Sequence, residues 1–157
     1  MTTASQAFAV IRSVIEGDPP EDGATWGSAA VQLLWYGDPN QIIPDFPAPF
    51  GFTLFEAGVS GVIERGGGSG QLRHRNPAAA EFFVCTPKDS GQQRGTDIAE
   101  QVAALFRSYN ESGVTVENAT VYPSVDGSQL KPPGADTDVG NYLVAACGIE
   151  FRFDLIG

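Results

Sequence analysis

The sequence predicts an α+β fold, a mostly antiparallel sheet with two main helices packed on one face and long, mobile loops. Three observations lead there. Apolar residues recur at helical spacing in two segments, near residues 3–16 and 96–109, and at the period of two in several others. The order is helix, strands, helix, then two long strands, which suits a sheet carrying its helices on one side. At 157 residues the chain has the size of one domain, enough to bury about 68–70% of its unfolded surface without a metal or disulfide framework.

The first helix spans about residues 3–16. Ala4, Ala7, Phe8, Ile11, Val14 and Ile15 form one stripe, opposite Gln6, Arg12, Ser13 and Glu16, and Gly17 with Asp18-Pro19-Pro20 stops it. Ser28–Tyr36 is a short apolar run read as a strand, because Trp35-Tyr36 precede a Gly37-Asp38-Pro39 turn. Four prolines (Pro39, Pro44, Pro47, Pro49) keep residues 37–49 extended, and Phe50–Glu56 is the next strand.

Val59–Glu64 and Gln71–Arg75 form a hairpin around the glycine-rich loop 65–70. Glu81–Thr86 is apolar on both faces and belongs in the centre of the sheet. The second helix is capped by Thr96 or Asp97, with Glu100 closing a box, and it buries Ile98, Val102, Leu105, Phe106 and Tyr109 before Asn110 and Gly113 end it. Val114–Tyr122 is a strand whose apolar phase shifts between Val116 and Ala119, the mark of a bulge or an exposed edge. A polar loop over 124–139 leads to the last strand. There Leu143, Ala145, Cys147, Ile149, Phe151, Phe153 and Leu155 share a face, and Tyr142–Ala146 is apolar on both.

A net charge of −10 argues against a broad nucleic-acid face, yet five of the nine basic residues (Arg65, Arg73, Arg75, Lys88, Arg94) share the stretch 65–94. That stretch is either a solvated loop or a patch that meets an acidic partner. Only 18% of residues are charged and there are ten Phe, four Tyr and two Trp, so some aromatic surface has to be covered by the core or by a neighbour. Cys85 and Cys147 read as two buried free thiols, and a disulfide would require neighbouring strands of suitable geometry. The start of the chain lacks the basic residues and apolar core of a secretory signal, and no apolar run approaches the ~18 residues of a membrane span.

Chemistry-bearing motifs are absent from the sequence. His74 is the single histidine, set between Arg73 and Arg75 with no carboxylate to orient it, so a nucleophile–His site or a zinc site has no ligand set. The loop 65–70 lacks the Lys and Ser/Thr of a phosphate-binding loop, and Asp136-Thr137-Asp138 lacks the closing Glu of a calcium loop. No cofactor, no metal and no enzymatic activity are expected.

Several segments taken together resemble a known family. They are Asn40-Gln41 through Pro44; Pro49-Phe50 into Phe52–Phe55; Glu81–Pro87 (EFFVCTP) with Gly91, Gly95, Ala99, Val102, Leu105 and Phe106; and Gly140–Tyr142 into Ile149–Phe151. Over about residues 31–156 this order resembles the tail terminator proteins of long-tailed bacteriophages and phage-like particles. The chain departs from that pattern at 17–36, which is longer, and at Asn76–Ala80, where a short connector is expected. The resemblance implies a structural virion protein: a homo-oligomeric ring, expected to be a hexamer, at the head-proximal end of the tail. Such a ring caps the tube protein, ends tail growth and offers a docking surface to the head-completion or neck protein. DNA would pass through it without specific binding, and no membrane is involved.

Under this reading the candidate interface residues are Arg65, Arg73, His74, Arg75, Lys131, Tyr142 and Val144, with loops 65–70 and 125–138 ordering on assembly. A head-completion or neck connector shares the same features. A small ligand-binding protein or enzyme would instead need a convergent polar pocket, whose residues the sequence does not supply.

Overall fold

A computed structural model describes residues 3–16, 31–35, 38, 42–58, 61–65, 72–128 and 140–156, with only the backbone of 61–65, 72–74 and 155–156. Among these residues two helices, α1 (Ala4–Glu16) and α2 (Gln92–Phe106), accompany seven strands. These are β1 (Gln32–Trp35), β2 (Phe50–Ala57), β3 (Gly61–Arg65), β4 (Leu72–Pro87), β5 (Asn110–Glu111), β6 (Val114–Asp126) and β7 (Tyr142–Ile156). They form one sheet in the order β1-β2-β4-β7-β6-β5, with β3 also on β4. Only β1 and β2 run parallel; all other pairs are antiparallel. This is the α+β class that the sequence predicts.

The long strands β4 and β7 are the spine. Their ladder runs unbroken from Arg73 opposite Ile156 to Pro87 opposite Tyr142. The alternation of β7 sends Ala145, Cys147, Ile149, Phe151 and Phe153 to one face, where they join Ala78, Ala80, Phe82 and Val84 of β4 under both helices. Phe106 of α2 stacks on Phe82 with ring centroids 5.5 Å apart, and Phe8 of α1 stacks on Phe55 at 4.5 Å. Burying an aromatic side chain in such a layer stabilises the fold by roughly 1.5–3 kcal/mol.

At the start of α1, Thr3 and Gln6 cap each other reciprocally. The Thr3 N–H donates to Gln6 Oε1, and the Gln6 N–H to Thr3 Oγ1. At the other end, Arg12 lies over the Trp35 ring and pairs with Glu16 and Asp38, while the Trp35 indole N–H donates to Glu16. Sequence spacing placed Glu16 on the outer side of the helix. It is in fact a half-buried acceptor that fastens α1 to β1.

Three expectations need correction. Residues 76–80 are not a connector, because Gln71–Arg75 and Glu81–Thr86 lie in one sixteen-residue strand. A proline is tolerated there because β2 and β3 both pair with β4, and the β2 ladder ends at Ala57 opposite Ala78 while the β3 ladder begins at Gly61 opposite Arg75. Pro77 falls between the two ladders, its carbonyl accepting from the Gly58 N–H at 2.8 Å, so no ladder bond is lost to its missing N–H. A Cβ on Gly58 would stand 2.9 Å from Pro77 Cγ, so the close approach needs glycine.

Helix α2 begins four residues before Thr96, after a 3-10 turn at Lys88–Ser90, and Gly91 takes the cap position with no side-chain bond. Thr96 is inside the helix. Its hydroxyl donates to the Gln92 carbonyl and accepts from the Ser124 N–H, tying α2 to β6 instead of capping it. Finally, Leu105 is 39% exposed and lies outside the buried stripe, whose places go to Ala99 and Ala103.

The helix ends at Phe106, and Asn110–Glu111 pair with Val114–Thr115 through a two-residue turn, Ser112-Gly113, both with positive φ. The bulge in β6 lies between Val116 and Asn118, where the apolar phase shift predicted it, and a second lies between Tyr122 and Val125. Of the polar loop placed at 124–139, Ser124–Asp126 still belong to β6, and 129–139 lie outside the described residues.

Candidate interaction surface

Among the described residues, the face of the sheet away from the helices is covered at one end only. There Leu34, Phe50, Phe52, Cys85, Tyr142 and Val144 form a second buried cluster, with Ile43 and Phe83 packed against it. Residues 42–49 lie across this end. The Tyr142 hydroxyl donates to the Ala48 carbonyl at 3.0 Å, and Phe46 meets the Tyr142 ring edge-on with centroids 5.6 Å apart.

Tyr142 and Val144 were candidates for subunit contact because their half of β7 is apolar on both sides. The structure corrects this: they are 6% and 7% exposed, buried by the chain's own Phe50, Phe52 and the segment 42–49. Burial also raises the Tyr142 phenol above its ordinary pKa and pushes the Cys85 thiol up to about 12. Cys147 belongs to the helix-side core, so the two free thiols leave opposite faces of adjacent strands and cannot bridge.

Beyond that cover no other described segment lies over the face, and register defines its rows. Phe83 pairs with Ala146 and Ala146 with Tyr122; Leu54 pairs with Glu81, Glu81 with Gly148 and Gly148 with Thr120; Glu56 pairs with Ala79 and Ala79 with Glu150. Tyr122 is 55% exposed, and its ring lies over Gly148, where an added Cβ would meet Cε2 at 3.5 Å. Val125, opposite Val144, is 63% exposed. An apolar strip thus continues from the second cluster onto bare sheet.

Next to it lies an open depression of about 390 Å³ between Glu56, Gly58, Pro77, Ala79, Glu117 and Glu150. Its floor is shallow because the central rows carry alanine, glycine and proline. Glu117 is paired with Arg152 at 2.6 Å; Glu56, Glu81 and Glu150 have no ion pair among the described residues.

The basic candidates separate. Arg75 is committed to Asp154 across the β4–β7 ladder at 3.3 Å. Arg65 stands opposite Leu72, Arg73 opposite Glu64 and His74 opposite Val62, in the hairpin that the sequence predicts. Lys131 and the glycine-rich loop 66–70 lie outside the described residues. Five of the six described basic side chains are paired inside the chain: Arg12, Arg75, Lys88, Arg107 and Arg152, with Arg94 left over.

The exposed pair Tyr122 and Val125 was missed by sequence reasoning. A second bulge was the signal that could have found it, since only a shifted register puts both on the open face. Among the described residues no group of three His, Cys, Asp or Glu side chains is placed to hold a metal ion, and no helix is long and apolar enough to cross a membrane.

No protein-family model and no curated protein match the sequence. The fold does have counterparts among solved structures. One, a chain with no functional description, superposes with a TM-score of 0.54 at 12% identity, covering 96% of both chains. A likeness at that identity shows a shared fold.

Proposed function

We propose that this chain is a ring-forming structural subunit of the tail-terminator kind, capping a phage tail tube and presenting a surface to the head-neck assembly. The observation that carries the reading is the open sheet face. Tyr122 and Val125 are more than half exposed beside carboxylates that have no ion pair among the described residues, on a face with a depression that offers a shallow floor of small residues. Surfaces of this kind are satisfied by a protein neighbour, and a shallow saddle does not enclose a small molecule. The element order supports the same reading, because helix, proline-rich segment, strand, hairpin, helix and long final strands follow the family's sequence of elements. Under this proposal the partners are further copies of the chain, the tube protein and a neck protein, and the place of action is the head-proximal end of the tail.

Native mass spectrometry of the purified chain, alone and with tail tubes from the same particle, tests the proposal. Rings of several copies are expected, and Tyr122→Ser with Val125→Ser should abolish them while shifting thermal stability little, since both side chains are on the surface. A strict monomer in both settings would overturn it. Binding to capsids in place of tube ends would move the assignment to the neck.

A further inference from the structure

We propose that residues 42–49 act as a strap that opens as a unit of its own, uncovering the second core while the helix side of the sheet stays folded. The two sides are held very differently. The strap adds nothing to the ladder: its one backbone hydrogen bond among the described residues, Ala48 N–H to Asp45 O at 3.0 Å, is internal. The Tyr142 hydroxyl, the edge contact of Phe46 and the packing of Ile43 fasten it to the sheet. Ile42 and Phe46 are 77% and 54% exposed, so their apolar area contributes little to closure.

Beneath the strap the β2–β4–β7 ladder is complete without it. Opening therefore breaks, among the described residues, only the strap's few contacts, whereas reaching the helix-side core means pulling α1 or α2 off the sheet together with residues such as Ala7 and Ile11 or Ala99 and Phe106, all fully buried. Proteins open locally wherever buried contacts are few and backbone bonds are missing. In the open state Tyr142 and Val144 face solvent. This device stands whether or not the chain forms rings.

The two cysteines report on the two sides separately. Cys85 lies under the strap and Cys147 under the helices. Both thiols are buried, so each reacts only when its own cover lifts.

The test is thiol alkylation of the native full chain with iodoacetamide at mildly alkaline pH, with each cysteine followed by peptide mass spectrometry across a urea series. Cys85 is expected to react at least about tenfold faster than Cys147, with a shallower urea dependence, as opening a small unit requires. Tyr142→Phe removes the bond to Ala48 and should speed Cys85 about fivefold, the worth of one ordinary hydrogen bond, leaving Cys147 unchanged. Phe46→Ala, at an exposed position, serves as a second variant that folds regardless. Equal rates with one urea dependence, no reaction at Cys85 before global unfolding, or variants that accelerate both cysteines together would each overturn the proposal.

Discussion

Asp126, at the end of β6, shows how one exposed side chain is tuned by its neighbours. Its carboxylate accepts from Lys88 Nζ at 2.9 Å and from the Ser128 N–H at 2.8 Å, and these bonds, the lysine's first, lower its pKa from 3.8 to about 2. The folded value lies below the unfolded one. The contribution to stability is therefore complete above pH 3.8 and is lost as the pH falls through about 2. An NMR titration should place the Asp126 midpoint near 2, and Lys88→Met should move it part of the way back, with the Ser128 bond holding the remainder. At this scale the sequence was uneven as a guide. Alternation in β7 put Cys147 and Phe151 on one shared face correctly, because period two is fixed by the backbone. It could not say what covers Tyr142, since the cover is a segment nearly a hundred residues away whose prolines carry no periodic signal.

Among the elements, α2 and β4 show where local signals mislead. The apolar period located α2, but Thr96 and Asp97 looked like caps when Gly91 and a 3-10 turn supply the start. What fixes the helix against the sheet is Gly95, where a Cβ would stand 2.8 Å from Ser124 Oγ and 3.1 Å from Thr86 Oγ1. Alanine is favoured over glycine in a helix by about 1 kcal/mol. Gly95→Ala should nonetheless destabilise the protein by about 1–3 kcal/mol, the usual cost of overpacking. Urea denaturation would read this, and a gain in stability would show that α2 can shift to accommodate the methyl group. In β4 the Asn76-Pro77 pair looked like a break because proline is excluded from most central strands. Only the β2–β3 gap opposite it, which depends on tertiary pairing, makes it acceptable.

For the whole molecule, the sequence predicted class, element order and the central position of Glu81–Thr86, because all three follow from periodicity and length. The interaction surface was less legible. Charge in the sequence pointed to 65–94, yet Arg75 and Lys88 are neutralised by Asp154 and Asp126, contacts that join residues far apart in the chain. Among the described residues the groups left without an ion pair are mostly negative, and Glu56, Glu81 and Glu150 sit around Ala79 on a protein whose net charge is −10. Self-repulsion of this kind is screened by salt. Raising ionic strength from about 0.01 M to 0.3 M should therefore raise the melting temperature by about 1–3 °C, which calorimetry would show. Glu81→Gln should shrink that rise.

The β4–β7 ladder has a further consequence for the order in which the molecule comes together. Its partners are separated by 55 positions at Pro87–Tyr142 and by 83 at Arg73–Ile156. Pairings so distant along the chain slow folding, and during synthesis at about 5–20 residues per second β4 waits several seconds for its inner neighbour. Until β7 is made, β4 and β6 cannot be joined, and the two halves of the sheet exist as separate flaps with bare edges. Translation speed through the stretch 88–141 thus sets how long a nascent chain is exposed to mispairing.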